Sequence, residues 1–279
     1  MKIEQFEFND KDFEYIRERV IQTAGIHLTD AKRQLVYGRL SKRLRALDLN
    51  SFTEYCELLE SGDQEEFARC VNAITTNVTS FFRENHHFEY LSQVVLPNLE
   101  NKYANHSRPQ LRVWSAGCSS GEEPYSIAIT IKESLPVTQN WDIKILATDL
   151  NSEILDVART GIYKSDLLEN MPKGRRNRWF RKGTGNNEGF VRVVPEIREL
   201  LHFRKLNLTG PWPMQKPFDI IFCRNVVIYF NQETRKILVD RFVDFLKDDG
   251  YLFVGHSESL LGITDRLESV GRTIHKKIK

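Results

Sequence analysis

Short apolar runs alternate with stretches of helical periodicity from about residue 111 onward, and this alternation constrains the fold more than any other feature. The runs are LRVWSAG (111–117), IKILATD (143–149), FDIIFCRN (218–225) and YLFVGHS (251–257). Runs of this kind are typical of parallel strands that helices bury on both faces. Helical stretches follow at 125–135, 151–159 and 232–246. Residues 111–279 therefore predict a doubly wound, Rossmann-like α/β domain.

One segment interrupts this alternation. Residues 173–206 contain GTGNNEGFVRVV and then ELLHFRKL, which indicate two or three short antiparallel strands around a Gly/Asn turn. We expect a small antiparallel β insertion in the larger fold.

The first part of the chain is helical in pattern. Residues 1–74 carry apolar side chains at helical spacing, beginning with Phe13, Ile16 and Val20. A second helix is expected over 30–47 after a capping signal at Thr29 and Asp30. An all-α helical bundle should therefore precede the α/β domain, and residues 75–110 should form the linker between them.

Bulk properties narrow the possible functions. The 279 residues carry a formal net charge of only +2, whereas nucleic-acid-binding proteins usually show a clear basic excess. No apolar run reaches the roughly 18 residues of a membrane span, and the N-terminal residues lack the apolar core of a signal peptide. Four scattered cysteines suit a reducing compartment. These properties predict a cytosolic protein, with a monomer as the expected state.

No metal site is predicted. The cysteines show no CxxC spacing, and no His-x-x-x-His pattern lies near them. His86 and His87 are adjacent, so on a helix they should point about 100° apart and should not share one ion.

The loop after the first predicted strand favours a cationic ligand. It reads GCSSGEE, with GxxxG spacing instead of GxGxxG and with no Lys-Ser/Thr after it, which disfavours a dinucleotide cradle and a P-loop. Glu122 and Glu123 would repel a diphosphate but suit S-adenosylmethionine, which carries a sulfonium and an ammonium group. The same two carboxylates could instead act only on the dipole of the following helix.

Polar residues also end two later strands. Asp149 could accept hydrogen bonds from both hydroxyls of an adenosine ribose, or it could cap the following helix. Arg224 and Asn225 break an apolar run, and their burial would be costly without partners. Their placement beside a ligand explains them better.

Five segments resemble the chemotaxis receptor methyltransferase (CheR) family in the order of that family. They are TTNVTSFFRENHHF (75–88), SAGCSSGEEPYS, ATDLN, GTGNNEGFVRV and IFCRNVVIYF. The resemblance implies an S-adenosylmethionine-dependent enzyme that methylates glutamate side chains of chemotaxis receptors and releases S-adenosylhomocysteine.

The resemblance also implies roles for individual residues. Glu123 would bind the amino-acid end of the cofactor, Asp149 the ribose, and Asn207 with Leu208 the adenine. Arg83 and Tyr229 would face the transferred methyl group as the catalytic pair. The implied cofactor-binding residues are Asn77, Thr79, Arg83, Ala116, Gly117, Glu123, Asp149, Asn207, Leu208, Arg224 and Asn225.

Positive charge is concentrated on the helix predicted over 30–47. It carries six basic residues and no acidic residue between Asp30 and Asp48. A solvated face is the usual meaning of such a run. The resemblance implies an acidic helical receptor as partner, which would bind at Lys32, Arg39, Arg43 and Arg45. It also implies that a C-terminal receptor peptide could add to the β insertion.

Three rival functions share parts of this pattern. A nucleic-acid methyltransferase shares the fold but is disfavoured by the low net charge and by RNVVIYF where a base-reading Pro-Pro-Tyr motif would stand. A non-catalytic S-adenosylmethionine-binding module should lack one of the implied contacts, yet all are present. A nicotinamide dehydrogenase is disfavoured by the glycine spacing.

Overall fold

The computed structural model describes residues 6–75, 77–136 and 138–278. Residues 1–5, 76, 137 and 279, which fall in the predicted helical domain, linker and α/β domain, lie outside the described residues. By their contacts the described residues form two compact units. The first consists of residues 6–75 and Tyr229–Arg235, and the second of 77–228 and 236–278.

Four α-helices build the first unit, as the apolar spacing predicted. They are α1 (Asp10–Ala24), α2 (Arg33–Ala46), α3 (Phe52–Glu60) and α4 (Gln64–Ile74), with a 3₁₀ turn at Asp30–Lys32. Side-chain caps begin three of them: Asn9 for α1, Ser51 for α3 and Asp63 for α4. Each cap accepts a hydrogen bond from a backbone N–H group that the helix leaves unpaired. These caps set where the helices start.

A buried ion pair joins α2 to α4. Glu66 is 2% exposed, and the Arg43 guanidinium donates to both of its carboxylate oxygens, at 3.0 and 2.6 Å. The Tyr55 hydroxyl donates to Glu66 Oε1 at 2.9 Å. Since a buried carboxylate without a partner is very unfavourable, this network fixes the packing of the two helices.

A seven-stranded sheet forms the centre of the second unit. Its strands, in spatial order, are β6 (Leu201–Lys205), β2 (Asp142–Asp149), β1 (Gln110–Ala116), β7 (Phe218–Cys223), β8 (Leu246–Val254), β10 (Ile274–Lys277) and β9 (Leu267–Gly271). The first five are parallel, whereas β10 and β9 form an antiparallel hairpin at the β8 side. This is the doubly wound α/β fold that the buried runs predicted, with a hairpin that the sequence did not reveal.

Helices connect and cover these strands. They are α5 (His86–Tyr90), α6 (Leu96–Lys102), α7 (Glu122–Ser134), α8 (Ser152–Thr160), α9 (Lys173–Trp179), α10 (Pro195–Arg198) and α11 (Gln232–Asp244). Between α5 and α6 the chain makes one π-helical turn at Leu91–Val95. Within the described part of the chain, every helix is too short or too polar to span a bilayer.

The β insertion differs in part from its prediction. Its three antiparallel strands are β3 (Ile162–Lys164), β5 (Phe190–Val193) and β4 (Phe180–Lys182), with β5 in the centre. The segment ELLHFRKL does not belong to it, because β6 pairs in parallel with β2. The residues of β6 alternate between buried and exposed, so only one face of this strand is covered. That alternation suggested an antiparallel strand.

Replacing Arg43 with Met tests the buried pair between α2 and α4. The variant removes the nearer of two cations from buried Glu66 and leaves only Arg69, whose Nη1 lies 3.8 Å from Oε2. The free energy of unfolding should therefore fall by about 3 kcal/mol. Urea unfolding followed by circular dichroism measures the change. Lys42→Met changes an exposed residue of the same helix, and a surface change of this kind should shift stability by less than about 0.5 kcal/mol. Equal effects from both variants would contradict the role of the pair.

Candidate active site

The predicted site residues collect at the carboxyl ends of neighbouring strands. Strand β1 lies between β2 and β7, so the order of the strands reverses beside it, and ligands of doubly wound sheets bind at this point. Ala116 ends β1, Asp149 ends β2, and Arg224 follows the last residue of β7. The polar strand ends that the sequence singled out therefore share one edge of the sheet.

Gly117 makes the tight turn that leaves β1. Its φ is +81°, a region that side chains with a Cβ rarely adopt, and its N–H donates to the carbonyl of Thr148 at 2.8 Å. A Cβ on Gly117 would lie 2.4 Å from Cγ2 of Val226. The loops after β1 and β7 are therefore in direct contact, and only glycine fits between them.

Glu123 lies buried in the first turn of α7. Its carboxylate accepts a hydrogen bond from the Ser115 hydroxyl at 2.7 Å and an ion-pair contact from Arg224 Nη1 at 3.1 Å. Burial raises the pKa of Glu123, although Arg224 and Ser115 act to lower it. A carboxylate in such a place gains most from a further positive group, as the cation hypothesis for this loop requires.

Arg224 is buried and holds several groups at once. Its Nη2 donates to the backbone carbonyl of Arg83 at 2.5 Å and lies 3.2 Å from Oε2 of Glu84. Its Nε is buried and has no hydrogen-bond partner among the residues that the structure describes. The guanidinium thus connects the segment before α5 to Glu123, and one donor remains for a ligand.

Asp149 does not cap the helix that follows it. The cap of α8 is Asn151, whose side chain accepts from the backbone of Glu153 and Ile154. Asp149 instead accepts from the N–H of Ser119 at 2.8 Å and that of Asn151 at 2.9 Å. Burial raises its pKa, although these N–H groups act to lower it. The carboxylate is held across the loops after β1 and β2, with lone pairs left for hydroxyl donors.

The segment from Asn77 to Glu84 lies against the loop after β1. Ser119 Oγ donates to the carbonyl of Asn77 at 3.2 Å, and Arg83 Nη1 donates to the carbonyl of Val78 at 2.8 Å. Thr79 is half-buried within this segment. Asn77 and Arg83 are thereby brought to the edge of the sheet that carries Glu123 and Asp149.

Asn207 and Leu208 follow β6, the strand beside β2. Leu206 N–H donates to the carbonyl of Asp149 at 3.0 Å, which joins this loop to the end of β2. Asn207 Oδ1 accepts from the backbone and the hydroxyl of Thr209, at 3.1 and 2.9 Å. Leu208 is buried. The loop is therefore positioned beside Asp149, as the implied adenine contacts would require.

Tyr229 belongs to the first unit. Its carbonyl accepts a hydrogen bond from the N–H of His27 at 2.8 Å, and the ammonium group of Lys32 lies 5.0 Å from the centre of its ring. A cation over an aromatic ring is an attractive contact. Lys32, which was predicted to bind the receptor, is thus a neighbour of Tyr229, which was predicted to face the transferred methyl group.

The prediction that the rings of His86 and His87 point apart is wrong. Their centres are 4.1 Å apart, and ligand atoms of Glu84, His86 and His87 all lie within 4.8 Å of one another. Burial, together with the nearby charge of Arg224, lowers the pKa of His87 to about 3. The Arg224 guanidinium already stands beside Glu84, so a positive charge is present there without an ion.

Several contributors were not identified from the sequence. Ser115 orients Glu123, Ser119 joins Asp149 to Asn77, and Ser126 Oγ accepts from the N–H of Phe82 at 2.9 Å. Serines in loops are too common for a sequence pattern to single them out. Glu258, a buried acid just after β8, carried a stronger signal, because an acidic residue in GHSES follows a strand end.

Replacing Gly117 with Ala tests the contact between the loops after β1 and β7. The new Cβ meets Val226 and must hold a left-handed backbone, so the protein should lose about 1–2 kcal/mol of stability or more. Thermal unfolding measures this loss, and it should be smaller in a Val226→Ala background. Gly174→Ala, a position where a Cβ meets no atom within 4 Å, serves as the neutral control. A neutral result for Gly117→Ala would contradict the contact.

Comparisons with known proteins identify the family of the chain. Residues 77–276 match the model of the CheR methyltransferase, SAM binding domain, and residues 11–75 match that of the CheR methyltransferase, all-alpha domain. The chain is 45% identical to chemotaxis protein methyltransferase 2 of Pseudomonas aeruginosa, over 98% of this chain and 95% of the relative. It is 42% identical to the chemotaxis protein methyltransferase of Escherichia coli, over 98% of this chain and 92% of the relative. The chain therefore belongs to the CheR family of methyltransferases, with S-adenosylmethionine as cofactor and S-adenosylhomocysteine as its product.

Proposed function

We propose that this chain methylates glutamate side chains of chemotaxis receptors and forms glutamate methyl esters. The observation that carries the proposal is the buried contact between Glu123 and Arg224 at the carboxyl ends of β1 and β7. An acid and a base side by side match the ammonium and carboxylate groups at the amino-acid end of S-adenosylmethionine. The relatives named above are chemotaxis protein methyltransferases, which supports a receptor as the acceptor.

The residues present fit the cofactor. Glu123 would take the ammonium group, and the unpartnered Nε of Arg224 would donate to the carboxylate. Asp149 would accept from the ribose hydroxyls, and Asn207 with Leu208 would line the adenine. The absence of a side chain at Gly117 lets a ligand approach the backbone closely. Asn77, Thr79, Ala116 and Asn225 would complete the set of contacts.

The proposed reaction makes few chemical demands on the protein. When bound, the cofactor supplies a methyl group on a positively charged sulfur. A glutamate side chain has an unperturbed pKa of about 4.3, so it is already an anionic nucleophile at neutral pH and needs no general base. The task left to the chain is to hold the carboxylate in line with the methyl group. We assign that task to Arg83 and Tyr229.

Lys32 adds a reason for an anionic acceptor. Its ammonium group lies against the ring of Tyr229, so the surroundings of the Tyr229 side chain are electropositive. A glutamate carboxylate would be attracted to this position, whereas a cationic acceptor would be repelled.

Contacts of Arg39 and Arg43 bear on which of the four basic residues we propose for receptor binding. Arg39 donates to the carbonyls of Ile74 and Thr75, at 2.6 and 2.7 Å, so it closes the end of α4. Arg43 pairs with buried Glu66. Arg45 is exposed and remains the best placed of the four residues for an acidic helical partner, together with Lys32.

We further propose that three successive parts of the chain have different tasks. Residues 1–74 would bind the receptor, 75–110 would link this domain to the cofactor site, and 111–279 would carry out the transfer. The four cysteines are free thiols, which suits the cytoplasm, and the protein would reach the membrane only through its receptor. It would work as a monomer and would not act on nucleic acid.

Incubation with tritiated S-adenosylmethionine and receptor-containing membranes tests the proposed function. The label should appear on the receptor and should be released by alkali as methanol, because an ester is base-labile and an N-methyl group is not. Label that resists alkali would reject the glutamate ester. Label in added RNA but not in receptor would favour the nucleic-acid alternative.

Replacing Tyr229 with Phe tests its assigned position beside the transferred methyl group. Turnover should fall about tenfold or more, since a poorly oriented acceptor reacts more slowly, while the affinity for S-adenosylhomocysteine should stay within about twofold. Initial rates and calorimetry measure the two quantities. Unchanged turnover would remove the Tyr229 hydroxyl from the mechanism.

Reversing the charge of Arg45 tests the receptor-binding surface. Arg45→Glu should slow receptor methylation at low salt by about tenfold, and the difference from the native chain should shrink as salt screens the charges. The affinity for S-adenosylhomocysteine should not change. Lys11→Glu places the same charge change on the exposed side of α1; an equal effect there would show only a dependence on net charge.

The β insertion offers a second place for the receptor. Strands β3 and β4 are the edges of the three-stranded sheet, and an extended peptide could pair with either. Half-buried Arg176 and exposed Arg178 in α9 would attract an acidic peptide. A C-terminal receptor peptide should therefore bind in calorimetry, and a tail with its sequence scrambled should not. Failure of both to bind would end this tethering proposal and leave the enzymatic one intact.

A further inference from the structure

Glu258 is a buried carboxylate in the turn that follows β8. It is 1% exposed, and its hydrogen bonds come from backbone N–H groups. An ionised carboxylate in such a place is stable only when several donors satisfy it. In turn, Glu258 supplies the acceptor without which these buried N–H groups would be unpaired.

The donors come from two loops at the edge of the sheet that carries the cofactor site. Glu258 Oε2 accepts from the N–H of Gly255 at 2.5 Å and from that of Asn225 at 2.8 Å. Glu258 Oε1 accepts from the N–H of Ile228 at 3.3 Å. One carboxylate therefore ties the loop after β7 to the loop after β8.

One of the residues that donate to Glu258, Asn225, has an unfavourable backbone conformation. Asn225 has a φ of +58°, which costs about 1 kcal/mol for a residue with a side chain. Next to it, a Cβ on Gly255 would lie 2.6 Å from the side-chain amide of Asn225 and 2.8 Å from Glu258 Oε2. The left-handed turn at Asn225 is thus clamped between Gly255 and Glu258.

We infer that Glu258 is a positioning residue of the active site, which sets the conformation of Asn225 and of the segment that leads through Ile228 to Tyr229. The inference rests on the proposed function, in which Asn225 contacts the cofactor and Tyr229 positions the acceptor. In this proposal Glu258 contacts neither the cofactor nor the acceptor. It acts through the backbone of the loop after β7.

Only a carboxylate suits this position. The N–H groups of Asn225, Gly255 and Ile228 converge on two oxygens, and an ionised carboxylate is an acceptor with no donor of its own. A glutamine of nearly the same shape would turn an NH₂ group toward at least one of these donors. The loop would then have to move so that the donors find other partners.

Glu258→Gln tests the inference. The affinity for S-adenosylhomocysteine, measured by calorimetry, should fall about tenfold, and kcat for receptor methylation should also fall about tenfold. Circular dichroism should show a folded protein at the assay temperature. Glu268→Gln, an exposed position on β9, is the matched control and should change neither quantity. Native affinity and native kcat in Glu258→Gln would overturn the inference.

A double-mutant cycle separates positioning from a general loss of stability. If Glu258 acts through Asn225, Glu258→Gln should weaken S-adenosylhomocysteine binding by less than about twofold in an Asn225→Ala background. If Glu258→Gln weakens binding by the same factor in the native chain and in the Asn225→Ala background, the inference is overturned. If Glu258→Gln does not fold, Gly255→Ala perturbs the same clamp from its other side and should also weaken binding; native affinity in that variant would count against the clamp.

The affinity measurement is independent of methyl transfer. A native chain that binds S-adenosylhomocysteine but labels no receptor would contradict the proposed function. In that case the binding cycle would still decide the role of Glu258.

Discussion

The contacts of the Arg224 guanidinium hold the candidate site together. This side chain follows β7, reaches Glu123 at the start of α7, and binds the carbonyl of Arg83 in the segment before α5. Three parts of the chain that are far apart in sequence therefore meet at one cation. Because the cation is buried, each contact is stronger than it would be in water.

The carboxyl groups of the candidate site differ in the direction of their pKa shifts. Burial raises the pKa values of Glu122, Glu123, Asp149 and Glu258, whereas Arg224 holds the pKa of Glu84 low against the effect of burial. Of these carboxyl groups, Glu84 and Glu123 form ion pairs with the buried Arg224 guanidinium. A site with this balance favours a ligand that brings positive charge of its own, which agrees with a sulfonium cofactor and disfavours a diphosphate.

The sequence predicted those features that depend on local pattern. The buried runs revealed the parallel strands, and the polar residues at Asp149 and Arg224 marked their ligand-binding ends. Features that depend on tertiary contacts were not predictable. Only one face of strand β6 is covered, Arg39 and Arg43 contact partners at α4, and the rings of His86 and His87 lie side by side. Resemblance to a family supplied the roles of Asn77, Thr79 and Tyr229, which no local pattern indicates.

Tyr229–Arg235 lies with the helical unit, although the residues on both sides of it lie with the α/β unit. Dissection of the protein at the boundary between its two family domains would therefore not yield two self-sufficient fragments. An isolated α/β fragment would carry the Tyr229 loop without His27 and Lys32, which contact it in the whole chain. An isolated helical fragment would leave those two residues without that loop. The two family domains are therefore not independent of each other in structure. An exchange of either domain between relatives would have to preserve the contacts of the Tyr229 loop with His27 and Lys32.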